Sequence, residues 1–365
     1  MYSFDPTEEQ QMLIEAVNKY ATNDLRPAAR NAEESGELPR KIIAKGWDLG
    51  LLQASIPEMY GGFGERSAVT GALAVEEMAF GDLAGALAVT TPSLFATPIL
   101  LMGSEEQKQE YLPRIVEGEW SPYTAALIEY AFDFDPNDLK TTAALEDGRY
   151  SLNGEKAFVP FAKEAQALLV YANLDGQTQA FIVAKEAEGL SISEEREKLM
   201  GVNALPLYRV KLTNVKIPAA NRLGGESGCA FEQLLASMQI ANAAAAVGVA
   251  NAAFEYSRDY AKEREAFGVK IAQKQAIAFM LAEMRTEIEA MRLLMWEAAW
   301  ELDTGREDAV KDAYLASTGA ADMAMMVTDR AVQILGGHGY IRDHPVEMWM
   351  RNGRGFATFT GLAIV

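Results

Sequence analysis

Cysteine is nearly absent. Cys229 stands alone in 365 residues, so no intrachain disulfide can form, and a reducing compartment fits the chain. Histidine is almost as scarce: two imidazoles and one thiol are too few for an ordinary zinc site, and no metal centre is expected. Basic residues are outnumbered, 33 against 52 acidic ones, for a formal charge of -19. That balance repels a phosphate backbone and argues against nucleic acid and anionic membrane surfaces as partners. No uninterrupted apolar run approaches the roughly 18 residues of a membrane span, and Met1-Tyr2-Ser3-Phe4-Asp5 opens with neither a basic nor an apolar stretch. A cytoplasmic protein without a membrane partner is expected. What is plentiful is apolar content, 49% against 23% charged, enough at this length for several packed units.

Helical signals fill the first 120 residues. Thr7-Glu8-Glu9-Gln10 reads as a capped start ahead of Met12, Leu13, Ala16, Val17 and Tyr20 on one face. Breaks at Pro57, at Tyr60-Gly61-Gly62-Phe63-Gly64 and at Pro92, with a stop and restart at Gly103-Ser104-Glu105-Glu106, divide the region into about five helices. From 121 onward short β-rich runs take over, among them Ala167-Leu168-Leu169-Val170-Tyr171 and Ala180-Phe181-Ile182-Val183, with Leu152-Asn153-Gly154 as a turn. Their spacing predicts an antiparallel sandwich or barrel. Helical periodicity returns over 231–264, 273–302 and 306–335, which predicts a bundle, and the alanines of 241–253 suit close helix packing.

Specific strings accompany this order. They are Ile56-Pro57-Glu58-Met59-Tyr60-Gly61-Gly62-Phe63-Gly64, the segment from Gly103 to Glu119-Trp120, Gly154-Glu155-Lys156, Lys262-Glu263-Arg264-Glu265-Ala266-Phe267-Gly268, and Gln333-Ile334-Leu335-Gly336-Gly337-His338-Gly339-Tyr340. Through them the chain resembles the acyl-CoA dehydrogenase family over essentially its whole length. The resemblance implies an α+β fold: an N-terminal helical domain (1–120), a central antiparallel β domain (121–222) and a C-terminal four-helix-type bundle (223–365). It also implies FAD held between the β domain and the bundle, a dimer of dimers, and flavin sites completed by a neighbouring chain. In the family's reaction a glutamate takes the α-proton of an acyl thioester while the β-hydride goes to flavin N5, with hydrogen bonds to the carbonyl oxygen as enolate-like charge develops.

Measured against that pattern, the chain lacks the chemical groups and keeps the binding ones. The family's Tyr-Glu-Gly-Thr string is matched by Phe359-Thr360-Gly361-Leu362, which puts Thr360 where the base would stand; the other place a family base occupies matches Met238. Neither side chain takes an α-proton unaided. The flavin-facing string Thr-Glu-Pro-Gly-Ala-Gly-Ser-Asp is matched by Ile128-Glu129-Tyr130-Ala131-Phe132-Asp133-Phe134-Asp135, and Trp-Ile-Thr by Phe158-Val159-Pro160. Hydroxyls become Ile128 and Phe134, and Pro160 removes a backbone donor as well as a hydroxyl. Tyr130, Phe132, Phe134, Phe158 and Phe161 are expected to fill the space of the ring. By contrast Arg264, Phe267, Gln275, Gln333, Gly336 and Gly337 match the residues that family members extend to the FAD of a neighbour. An arginine fork suits a pyrophosphate, and glycines let backbone N–H groups come close to it.

This asymmetry implies a heteromeric α2β2 member in which the chain lends half of an FAD site to a homologous, base-bearing subunit. An acyl-CoA substrate, including bulky esters such as steroid side-chain thioesters, and an electron-transfer flavoprotein as acceptor go with that reading. Two alternatives are a self-sufficient homo-oligomeric dehydrogenase with an unrecognised carboxylate base and a non-catalytic scaffold of the same fold. Locally, Arg264 pairing with Glu263 or Glu265, and Gly336-Gly337 as a plain helix stop, are the competing explanations. Glu129 and the loop bearing Asp133, Asp135 and Asp138 read as structural, Cys229 as inert, and His338 and His344 as surface or turn residues.

Overall fold

The structure, a computed structural model, describes residues 5–365; of the opening string, Met1-Tyr2-Ser3-Phe4 lies outside the described residues. The N-terminal region holds α1 (Glu8–Tyr20), α2 (Arg26–Ser35), α3 (Arg40–Trp47), α4 (Leu51–Ala54), α5 (Ala68–Gly81), α6 (Leu83–Thr90), α7 (Ser93–Met102) and α8 (Glu105–Val116). The expected starts are real. Thr7 caps α1 and Ser104 caps α8, each exchanging hydrogen bonds with the glutamine three residues on. Helices outnumber the expected five because further breaks divide the helical stretches. One is at Asp82, which directly follows Gly81: its extended backbone (φ -159°) ends α5 and its carboxylate caps α6 by accepting the Gly85 N–H at 2.7 Å.

Strands β1 (Thr124–Ala126), β2 (Thr142–Glu146), β3 (Arg149–Pro160), β4 (Ala167–Leu174), β5 (Gln177–Ala184), β6 (Leu190–Ile192) and β7 (Leu207–Pro218) form one sheet in the order β1-β4-β2-β3-β7-β6, with β5 on β4. The sheet is mixed, not antiparallel throughout: β1 runs parallel to β4, and β2 meets β4 in a parallel bridge at Thr142 and Asn173. Those neighbours are far apart in sequence, so no hairpin dictates their direction. Leu152-Asn153-Gly154 is not a turn either. It is a register shift inside β3, and the turn is at Asp147-Gly148, both with positive φ. Glycine is required at 154 because φ is +151° and an added Cβ would sit 2.5 Å from Thr141 Oγ1.

The C-terminal region is built on α9 (Phe231–Glu263), followed by a small hairpin, β8 (Glu265–Ala266) and β9 (Val269–Lys270), then α10 (Gln275–Asp303), α11 (Ala309–Leu335) and α12 (Val346–Gly353). By length and composition α9 would cross a membrane, which the sequence reading did not single out. Its most apolar 18-residue window is 94% buried inside the protein, so it is a core helix. Small residues allow that depth: an added Cβ on Gly248 would lie 2.2 Å from the Glu76 carbonyl oxygen of α5.

Asp82 carries a cost. Burial pushes its carboxyl up to about 6, against the opposing effect of the Gly85 hydrogen bond. The folded protein therefore binds this proton more tightly than the unfolded chain, and stability falls as pH rises from about 4 through about 6. Asp82→Asn keeps the cap and abolishes the charge. We expect it to raise unfolding free energy by about 1–3 kcal/mol at pH 8, with the gain vanishing near pH 4, as measured by urea unfolding at both pH values.

Candidate functional site

Two places answer to the sequence expectations, and they differ in whether their polar groups are already satisfied. The first is the niche where β3 faces the 128–135 loop. A register shift between Lys156 and Val159 takes the Phe158 amide out of the β3–β7 ladder, with Phe158 and Phe161 both in the left-handed region at φ +54° and +50°. The freed N–H donates to Glu197 Oε2 at 2.8 Å. The same carboxylate accepts the Tyr130 hydroxyl and lies 3.6 Å from the Arg209 guanidinium, which also stacks 4.3 Å over the Tyr130 ring. Behind them Glu129 accepts from the Lys140 and Thr141 amides and pairs with Lys156 at 2.7 Å. Burial brings the fully enclosed Lys156 ammonium down to about 8; on Glu129, burial is outweighed by Lys156 and the other donors, which hold its carboxyl below the usual range.

Aromatic filling of this niche is only partial. Phe161 is buried and stacks edge-on to Trp120 at 5.0 Å, Phe158 meets Tyr130 at 5.6 Å, and Phe134 is half-buried between two cores. Phe132 points fully into solvent and fills nothing, contrary to expectation, because its loop offers no apolar wall. The loop itself is held by Asp135, which accepts the Asn137 amide, and by an Asp138–Lys140 pair.

The two base positions are equally unsuited. Met238 is wholly buried in a core with Phe231, Leu235, Tyr171 and Ile364. Thr360 is half-buried on the wall of a cavity of about 570 Å³ that Phe134, Gln239, Tyr314 and the carboxylates of Asp135, Glu232 and Asp322 also line. Cys229 is buried, and burial raises its thiol above the ordinary range.

The second place lies at the far end of α9. Arg264, Gly336 and Gly337 line one cavity of about 380 Å³ together with Tyr260 and His338. Phe267 stands beside it at the hairpin tip, 93% exposed with φ +54°. Gln275 and Gln333 are exposed but not on the cavity wall. Neither local alternative accounts fully for this place. Glu265 is taken by Lys270 at 2.9 Å, and no carboxylate among the described residues pairs with Arg264. Gly336 does stop α11, its N–H bonded to the Gln333 carbonyl, so it contributes room and not a donor; a Cβ at Gly336 or Gly337 would meet nothing within 4 Å.

Family models describe the whole of this arrangement: the N-terminal domain of acyl-CoA dehydrogenase matches residues 7–119, the middle domain 126–215 and the C-terminal domain 229–363. The chain belongs to the acyl-CoA dehydrogenase family. An acyl-CoA dehydrogenase of Bacillus subtilis is 36% identical over 358 residues, 95% of this chain and 93% of that protein. The caffeyl-CoA reductase–Etf complex subunit CarC of Acetobacterium woodii is 33% identical over 98% of this chain and 96% of its own. Among solved structures, butyryl-CoA dehydrogenase from Megasphaera elsdenii superposes with a TM-score of 0.88 at 32% identity, covering 100% of this chain and 96% of that one.

Members of this family bind FAD, and the two places differ in their fit to it. The β3 niche does not suit the ring: its freed backbone donor, the Phe158 N–H, is consumed by Glu197, and Pro160 has none. The α9 end suits a dinucleotide's phosphates, offering a guanidinium unpaired among the described residues and open space at Gly336 and Gly337. Sequence reasoning missed Glu197, which sits in a charged run, Ser193-Glu194-Glu195-Arg196-Glu197, that carries no distinguishing signal. It also set aside His338 and His344, whose rings lie 5.4 Å apart and bond to α9 tyrosines instead of standing free; the position of His338 directly after Gly336-Gly337 was the available clue.

Glu197→Ala strands the Phe158 amide. It is expected to cost about 1–3 kcal/mol in urea unfolding and to speed hydrogen exchange at that amide, whereas Glu197→Gln, which keeps an acceptor, loses less.

Proposed function

We propose that this chain is the FAD-completing subunit of a heteromeric acyl-CoA dehydrogenase, without a base or an isoalloxazine site of its own. The observation that carries the reading is the contrast between two donors: the Phe158 N–H is spent inside the chain on Glu197, while Arg264 is exposed with no carboxylate partner among the described residues. In the assembly, an α2β2 heterotetramer, a homologous subunit carries the glutamate and the ring pocket. Bound there, FAD supplies a hydride acceptor. This chain's part is binding and orientation. The Arg264 fork would take diphosphate oxygens, Phe267, Gln275 and Gln333 would contribute further contacts to the dinucleotide, and Gly336 and Gly337 would leave the space.

The substrate in this reading is an acyl-CoA, drawn from fatty-acid or bulkier steroid-type side chains, and an electron-transfer flavoprotein takes the electrons; the likeness to a subunit of an Etf complex supports the second point. A cytoplasmic location goes with the lone, buried thiol. A self-sufficient homo-oligomer is favoured by one observation, the carboxylates of Asp135, Glu232 and Asp322 on the same cavity wall as Thr360.

Expressed alone, the chain is expected to be colourless at 450 nm, and expressed with a base-bearing homologue to bring down a single FAD per pair of chains. A yellow single-chain preparation that bleaches with acyl-CoA would establish the homo-oligomer instead. In the mixed complex, Arg264→Ala is expected to weaken FAD retention at least about tenfold by loss of a charge-assisted pair; unchanged flavin occupancy after gel filtration would remove the lent half-site.

A further inference from the structure

We infer that His338 is a second phosphate-binding residue of the Arg264 cavity, kept in its donating form by Tyr260. Its Nδ1 lies 2.8 Å from the Tyr260 hydroxyl, and both residues line the cavity with Arg264. The phenol has no second hydrogen-bond partner among the described residues and is the stronger donor of the two groups, so its O–H points at Nδ1. A neutral imidazole that accepts at Nδ1 carries its proton on Nε2. The ring therefore presents an N–H without needing to be charged.

The rest of the cluster holds this orientation. Tyr256 bonds His344 Nδ1 at 2.8 Å, and the His344 ring packs edge-on against Tyr260 at 5.8 Å and tilted against His338 at 5.4 Å. Behind them Tyr256 leans on Trp349, which is buried. Two tyrosines one turn apart on α9 thus fix the only two histidines of the chain. The cavity needs such a donor. The Gly336 N–H is committed to ending α11, so glycine supplies space there, and Arg264 alone would grip one side of a diphosphate. With His338 the site has a charged fork and a second N–H donor, a combination that suits the two phosphates of an adenine dinucleotide.

This inference rests on the lent half-site, and the test separates the two. ADP is the probe. It is titrated by calorimetry into the full-length chain, and FAD release is followed in the complex with the base-bearing homologue; the first arm reports on free nucleotide and the second on the dinucleotide of a partner. In both arms His338→Ala is expected to weaken binding about five- to tenfold, and His338→Gln, which restores an N–H, to recover most of it. Tyr260→Phe, which frees the tautomer, is expected to weaken it about two- to threefold. Nitrogen-15 NMR of the histidines should show Nε2–H at His338 and a shift of that nitrogen with ADP. If Arg264→Ala abolishes binding while His338→Ala and Tyr260→Phe leave it unchanged, the role of His338 is overturned and the half-site stands. If none of the variants alters either arm, both fall.

Discussion

Everything in this molecule is arranged around the near-complete burial of α9. Thirty-three residues long and dense in alanine, it is touched by α5, α10, α11 and α12, and its own small side chains let those helices come close. A rod so confined is also a ruler. From Met238 near one end to Arg264 just past the other it advances about 39 Å at the usual helical rise. The cavity bearing Thr360 lies at the first end and the Arg264 cavity at the second. Two cavities are thereby held apart on one rigid element.

The two ends use opposite treatments of polar groups. Near the first, the β3 niche closes its polar groups on itself: the Phe158 amide, the Tyr130 hydroxyl and Glu197 satisfy one another, and Glu129 with Lys156 forms a buried pair backed by backbone donors. A buried charge is tolerated only when so surrounded. At the second end no carboxylate among the described residues pairs with Arg264, and Phe267 projects into solvent from a two-residue turn with both residues at positive φ. Within the chain the exposed Phe267 ring meets only the Lys274 ammonium among the described residues, 5.9 Å from its centroid.

Ion pairs fix the N-terminal helices to this frame. Glu33 accepts from Arg351 and from both Asn203 donors, Glu347 is shared by Arg30 and Arg351, and Arg66 bridges the Val365 carbonyl, Ser237 and Asp303. Arg292 of α10 reaches Glu76 of α5 across the bundle; burial raises the Glu76 carboxyl despite that partner. These contacts join residues up to some three hundred positions apart, so the placement of the helical layer depends on the bundle being formed.

Local chemistry made much of this readable in advance. Thr7 and Ser104 cap helices because their hydroxyls satisfy amides a turn away, the long helices follow from apolar periodicity, and Arg264, Gly336 and Gly337 stood out through strings that survive as strings. Thr360 and Met238 were recognisable as poor bases because neither a hydroxyl nor a thioether takes an α-proton unaided. What tertiary structure alone decided is whatever depends on a partner distant in sequence: the parallel pairing of β1 with β4, the need for glycine at 154 imposed by the close approach of Thr141, the exposure of Phe132, and the capture of the Phe158 amide by Glu197. The same holds for the Tyr260–His338 bond, joining residues far apart on α9 and beyond α11. Periodicity and motif spacing describe what a residue can offer; only the folded chain determines whether another residue has already taken it.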